Sequence, residues 1–231
     1  MKPATDASIL AAALIVSLVS LSPARALADE LPKDTNQIER LTPEQAKKLA
    51  AEFPGVWVVI DPSTTYMRRS LPLNGLNSLD AETATALAAY PEGPLLLDGL
   101  TTLDAATAKT LAQLKNEALS LNGLTTLDAA TAKAIAGSPA WNGDLSSIVA
   151  FESPDSVEIA ATLAKRKGPL RLPNLKKLSS KTLTTLIEKE DVEIPLIETL
   201  ELIQEPDGSP MDDFIIPKGF QSRQKARQQG S

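Results

Sequence analysis

Apolar and polar positions repeat along the middle of the chain with little variation. Residues 71–88 (LPLNGLNSLDAETATALA), 95–112 (LLLDGLTTLDAATAKTLA) and 119–136 (LSLNGLTTLDAATAKAIA) superimpose at a constant offset of 24 positions. Leucine alone does not drive the match. Asn74, Asp98 and Asn122 share one column, Gly75, Gly99 and Gly123 the next, and Asp80, Asp104 and Asp128 a third. Each copy opens on a short alternating run such as Leu119-Ser120-Leu121, which predicts a strand with Leu121 turned inward and Ser120 outward. The Asx-Gly pair that follows would suit a hairpin turn, but no second alternating run comes after it, so a hairpin is rejected. The stretch from Asp128 (DAATAKAIA) predicts a helix: an N-cap residue, then strong helix formers that put Ala132, Ile135 and Ala136 on one face. Ala84, Ala108 and Ala132 are small enough to let each helix sit close to its strand.

Fainter copies flank the clear ones. A further 24 positions lead from Leu121, Leu124, Leu127 and Ile135 to Leu145, Ile148, Phe151 and Ile159. After a lengthening of three residues come Leu172, Leu175 and Leu178, then Ile194, Ile197 and Leu200. Upstream, Leu41 and Leu49 repeat the eight-residue spacing of Leu79 and Leu87. Thr42-Pro43-Glu44-Gln45 and Ser153-Pro154 each predict a hydroxyl cap just before a proline in the first helical turn. Ordering the backbone of one unit costs more than its few buried aliphatic side chains return, so no unit folds alone and stacking must supply the remainder.

The three central copies, with their Leu spacing and their Asx-Gly and Asp columns, resemble the leucine-rich-repeat family, whose period of 20–29 residues brackets the 24 found here. The likeness is to the short, Ala-rich bacterial variants of exported proteins and runs from about Ile38 to Leu202. It implies an α/β solenoid with short parallel strands on the concave side and helices on the convex side. One departure stands out: Leu76, Leu100 and Leu124 occupy the slot where the family pattern has Asn or Cys, and the polar column falls earlier, at the Asx-Gly pair. The outward strand positions Pro72, Leu96, Ser120, Arg171 and Glu193 are the candidate ligand-contacting residues.

The ends of the chain differ from its middle. Lys2, the apolar run Ile9–Leu21, Pro23 and Ala26-Leu27-Ala28 have the order of a secretory signal, with cleavage between Ala28 and Asp29. The run is 13 residues long, short of the roughly 20 that span a bilayer. Residues 1–28 are thus expected as a signal peptide, 29–202 as the repeat solenoid and 203–231 as a flexible C-terminal tail, with Phe214-Ile215-Ile216 the part apolar enough to fold back. No later stretch is suited to crossing a membrane, so the mature chain is expected in the periplasm or outside the cell.

Composition narrows the chemistry. The chain has no Cys and no His, which removes thiolate nucleophiles, His-based triads and the commonest metal ligands. A net charge of −6 leaves no basic footprint for nucleic acid. The Asn74–Asp98–Asn122 column supplies too few oxygens for calcium and reads as Asx side chains capping backbone groups at the turn. The Asp80–Asp104–Asp128 column reads as helix caps. Trp57 and Trp141 fall between units and read as local core plugs. The expected function is a non-catalytic interaction module without cofactor, its partner a protein or an envelope polymer. The alternatives are a structural spacer of the envelope and a carboxylate-only hydrolase of wall polymers. N-terminal sequencing of the exported protein should begin at Asp29; an intact Met1 on membrane-bound material would overturn the signal assignment.

Overall fold

Helices and short strands alternate along the chain, which the computed structural model describes over residues 31–61, 66–91, 93–114, 118–206, 208–209 and 216–229. The compact unit begins at Leu31; the signal segment, its Ala28/Asp29 junction, Phe214 and Ile215 lie outside the described residues. Among the described residues no helix is long and apolar enough to cross a membrane.

The helices are α1 (Pro43–Glu52), α2 (Ala81–Leu87), α3 (Ala105–Leu111), α4 (Ala129–Ala136), α5 (Ser156–Ala164) and α6 (Ser180–Ile187). Each packs on the next in sequence. The caps follow the local sequence. Asp80 Oδ1 accepts from Thr83 N at 2.7 Å, Asp104 Oδ1 from Ala106 N and Thr107 N at 2.9 Å, and Asp128 Oδ1 from Thr131 N at 2.6 Å. At two of them the bonds favour the charged carboxylate: the Thr83 N–H holds Asp80 below its ordinary pKa, and the Thr107 hydroxyl and N–H do so for Asp104. Thr42 and Gln45 form the expected capping box on α1. Ser153 does not cap α5; the chain turns once more, Ser156 N donating to Ser153 O at 3.0 Å, and the helix starts at Ser156 behind Asp155, which makes no side-chain cap bond.

Between helices run the short strands. In β2 (Tyr66–Pro72), β3 (Leu95–Leu96) and β4 (Leu119–Ser120) the register is parallel, with Leu71 opposite Leu95 and Leu95 opposite Leu119, one full period at each step. Leu73, Leu97 and Leu121 point inward and are fully buried, as are Leu76, Leu100, Leu124 and the close-packed Ala84, Ala108 and Ala132.

What sets the pitch is the Asx-Gly column. Three Asx side chains reach to the next unit rather than closing their own turn: Asn36 Oδ1 accepts from Asn74 N at 3.1 Å, Asn74 Oδ1 from Asp98 N at 3.1 Å, and Asp98 Oδ1 from Asn122 N at 2.9 Å. Beside this ladder the backbone carbonyls of Asn36, Asn74 and Asp98 press against Gly75, Gly99 and Gly123, where an added Cβ would overlap the oxygen.

The spacing changes after β4. Trp141 sits opposite Leu119, slightly less than one period further on, whereas Arg171 sits opposite Asp144, slightly more than one period further on. The loop Trp141–Asp144, with Gly143 at φ +81°, absorbs the difference. Arg166, nearly buried, fills this seam: Nη2 donates to Trp141 O at 2.7 Å, Nη1 to Pro169 O, and the guanidinium lies 4.9 Å from the centre of the Trp141 ring. Burial lowers the Arg166 pKa and the Asp191 carboxylate opposes that. Lys189 bridges Arg166 O and Asp191 beside it.

Beyond the seam each unit carries two ladders. β6 (Leu170–Arg171) pairs with β8 (Val192–Glu193), while β5 (Ala150–Phe151), β7 (Lys177–Ser179) and β9 (Glu201–Ile203) pair on the other side. Leu178 lies opposite Leu202, a full period on, although Arg171 and Glu193 stand closer together in sequence than that. The sequence expectation that Leu200 continues the Leu178 position is therefore corrected. The 3-10 turn Ile197–Thr199 takes up the difference.

Two described parts of the tail expected to be flexible over 203–231 instead pack on the rest of the chain. Glu205 is buried and accepts from Ser180 Oγ at 2.9 Å and Lys181 N at 3.0 Å, capping α6; burial would raise its pKa, but these bonds outweigh it and the carboxyl stays below its ordinary value. A further helix, α7 (Lys218–Gln229), buries Phe220, and Gln224 Nε2 donates to Pro195 O at 2.9 Å. A single aromatic anchor in an otherwise polar helix leaves no apolar stripe for a sequence reading to find.

The pitch yields a test with an internal control. Gly123→Ala should cost more than about 2 kcal/mol, because the Cβ meets a backbone carbonyl that cannot step aside. At Gly137, the αR C-cap of α4, the nearest atoms lie at 3.5 and 3.6 Å from such a Cβ, so Gly137→Ala should be neutral or stabilise by up to about 1 kcal/mol. Urea titration of both variants gives the comparison; equal tolerance would contradict the close approach.

Candidate interaction surface

Period-two alternation puts the five outward strand positions in two rows that the register confirms: Pro72 beside Leu96 beside Ser120, and Arg171 beside Glu193. Their exposure differs from the sequence expectation. Pro72 and Ser120 are buried, and Leu96, Arg171 and Glu193 are half-buried. Ser120 Oγ donates to Asp98 Oδ1 at 2.6 Å, and Asn142 Nδ2 lies 3.4 Å from both Ser120 Oγ and Asn122 Oδ1. Arg171 Nε and Glu193 Oε2 pair at 3.2 Å across their two strands. The outward assignment of Ser120 is thus corrected: neighbouring polar side chains close over it and satisfy it. Asn142 and Asp144, which the repeat alignment does not reach because of the seam, belong to the same rows.

A second surface arises where the repeat pattern is interrupted. The N-cap Thr42 precedes its counterpart Asp80 by well over one period. Within the extra length β1 (Val56–Asp61) pairs antiparallel with β2, Trp57 opposite Arg69 and Val59 opposite Met67. β2 then continues into the parallel ladder, so the hairpin is a direct extension of the sheet in the order β1-β2-β3-β4. In paired strands, opposite residues share a face. That face carries Trp57 at 62%, Val59 at 49% and Met67 at 46% exposure, with Arg69 exposed beside them and its guanidinium 5.7 Å from the centre of the Trp57 ring. Arg69 Nη1 also donates to Pro54 O at 3.0 Å, which holds the cation against the ring. Val56 adds a fourth exposed apolar side chain on the opposite face.

Trp57 therefore corrects the sequence reading. It is exposed and is no core plug, whereas Trp141 is fully buried. The apolar run Val56–Ile60 carries the signal for this hairpin, but it does not follow the period of the neighbouring units, which dominates the pattern.

A third feature is an open groove of about 290 Å³ between Thr125–Leu127 and Ile148–Ser153, floored by Ile148, Phe151 and Ile159. It lies where the β5-β7-β9 ladder stops short of the central units. Its only charged lining residue is Glu152, so it brings no two titratable groups together for acid–base work. Among the described residues no group of three or more acidic side chains is placed to hold a metal ion.

Comparison with protein-family models, curated proteins and solved structures finds no match to this chain.

Ser120→Asp should lower the unfolding free energy by about 1–3 kcal/mol, since it sets a second carboxylate against Asp98 in a covered position. Trp57→Ser, on the open face, should cost less than about 1 kcal/mol. Thermal or urea unfolding of the two variants measures the contrast, and a freely tolerated Ser120→Asp would mean that this part of the strand row is open to solvent.

Proposed function

We propose that this chain is an exported, non-catalytic repeat protein of the leucine-rich type, its units stacked as a solenoid with strands on the concave side and helices on the convex side. Its role is to dock a macromolecular partner, and the docking surface is the β1–β2 hairpin. The observation that carries this reading is the contiguous exposed face of Trp57, Val59 and Met67 beside Arg69. Aromatic, Met and Arg side chains are the types enriched at interface centres, and adjacent large apolar side chains left in water mark interaction sites more often than scattered ones do. The self-paired strand rows carry less weight as a ligand face, because Pro72 and Ser120 are covered and Arg171 and Glu193 already satisfy each other.

Among the described residues the carboxylates with a perturbed affinity for protons, Asp80, Asp104 and Glu205, each serve a helix N-terminus. That role accounts for their shifts without chemistry and supports the non-catalytic reading.

A pull-down from envelope extract with the wild-type protein should recover a saturable partner, and Trp57→Ser combined with Met67→Ser should weaken it at least about tenfold while leaving the melting temperature within a few degrees. Binding that is unaffected by the double change would move the docking surface elsewhere.

A further inference from the structure

The β1 strand combines an exposed apolar face with a hydrogen-bonding edge that no other described strand pairs. Among the described residues β1 pairs with β2 alone and stands at the end of its sheet. Edge strands are ordinarily guarded by Lys, Pro, a bulge or an inward charge. From Val56 to Ile60 (VWVVI) there is no charge and no proline, and the irregularity in register comes only between Val59 and Asp61. Unpaired backbone donors and acceptors of this kind are met by another strand. A lipid surface offers none.

We propose that the occupant of this edge is the same edge of a second copy of the chain, giving a two-fold dimer by antiparallel β1–β1 pairing; this rests on the hairpin being the docking surface. Antiparallel pairing of a strand with itself is compatible with a two-fold axis, and the sequence is self-complementary about Val58. With Val58 on the axis, Trp57 lies opposite Val59 of the second copy, and the reverse, while Asp61 falls beyond the paired stretch. Given the observed pairs Trp57–Arg69 and Val59–Met67, two rows then cross the junction, each running Arg69, Trp57, then Val59 and Met67 of the second copy. Every residue across the new seam is apolar, and aromatic–β-branched pairs of this type stabilise a sheet. The cations stand at opposite ends of the rows. The two Arg69 residues are at least three strand spacings apart, more than about 14 Å, beyond the roughly 8 Å over which salt leaves surface charges unscreened. Like charges therefore do not oppose the pairing.

The test uses the protein purified from cells expressing the full 231-residue sequence, followed by sedimentation velocity over a concentration series. Wild type should pass from monomer to dimer. Trp57→Lys with Val59→Lys sets lysines opposite lysines across the axis while changing only exposed side chains; it should raise the dimer Kd at least about tenfold with unchanged circular dichroism. The matching variant with Trp57→Glu and Val59→Glu should also be monomeric alone, and mixing the two should restore a mixed dimer. That rescue would not follow from misfolding. A wild type that stays monomeric at its highest soluble concentration, or a dimer unaffected by the lysines, overturns the proposal. Acrylamide quenching of Trp57 separates this from the docking reading. If wild type is monomeric but the partner recovered from envelope extract, or vesicles containing phosphatidylglycerol, shield Trp57, the second copy is the wrong occupant and the surface stands. Quenching unchanged in every mixture would remove both.

Discussion

The hydrogen bond that one unit's backbone N–H donates to the Asx side chain of the unit before it is the interaction on which the remaining order depends. It joins residues 24 apart at Asn74–Asp98 and Asp98–Asn122, and so ties the pitch of the chain to a single side-chain length. The adjoining glycines let the carbonyl of the preceding unit come into van der Waals contact with the backbone. With the turns held at that separation, Leu71, Leu95 and Leu119 fall into one parallel register, and Leu97 and Leu121 are sealed between neighbours. Burial then provides most of the free energy, but the Asx-Gly contact decides the geometry in which burial occurs. Either Asn or Asp serves, because the bond uses only the Oδ1 acceptor.

Where the pitch fails, the structure shows what it takes to repair it. At Trp141–Asp144 the ladder changes step, and the carbonyls of Trp141 and Pro169 take their donors from a guanidinium. Arg166 suits this place because its fork can reach two carbonyls while its flat face stacks on an indole. A lysine would satisfy fewer acceptors and would not stack. The cost is a cation held with little water, offset in part by Asp191, which itself pairs with Lys189. A second ladder begins on the far side of the seam, and the groove beside Ile148 and Phe151 marks the point where the two halves differ.

The surface follows from the same logic. Repetition lets the strand rows satisfy themselves, since polar residues meet polar neighbours in adjacent units, as Ser120 meets Asp98 and Arg171 meets Glu193. A departure from the repeat is where unsatisfied surface accumulates. The length by which the first unit exceeds the period lies around the β1–β2 hairpin, and there Trp57, Val59 and Met67 are left in water.

The alternation of strand and helix, the regular register of the central units and the caps at Asp80, Asp104 and Asp128 were all determined by the sequence alone. The alternation and the caps depend on residues within a few positions of one another, and the register, which joins residues a full period apart, is legible because three nearly identical copies state it redundantly. The tertiary structure decided what local pattern cannot carry. Whether Ser120 meets solvent depends on Asp98 and Asn142, in other units. The change in step after β4 depends on how Trp141 and Arg166 pack together. Trp57 and Trp141 both lie between units in sequence, yet one is exposed and the other sealed, because the hairpin carries Trp57 to an open edge and the seam folds Trp141 beneath a guanidinium. Within α7 Phe220 has no apolar partner at helical spacing, and only the packing of that helix on the rest of the chain buries it. In each case the deciding contact joins positions distant in sequence, which a one-dimensional period cannot encode.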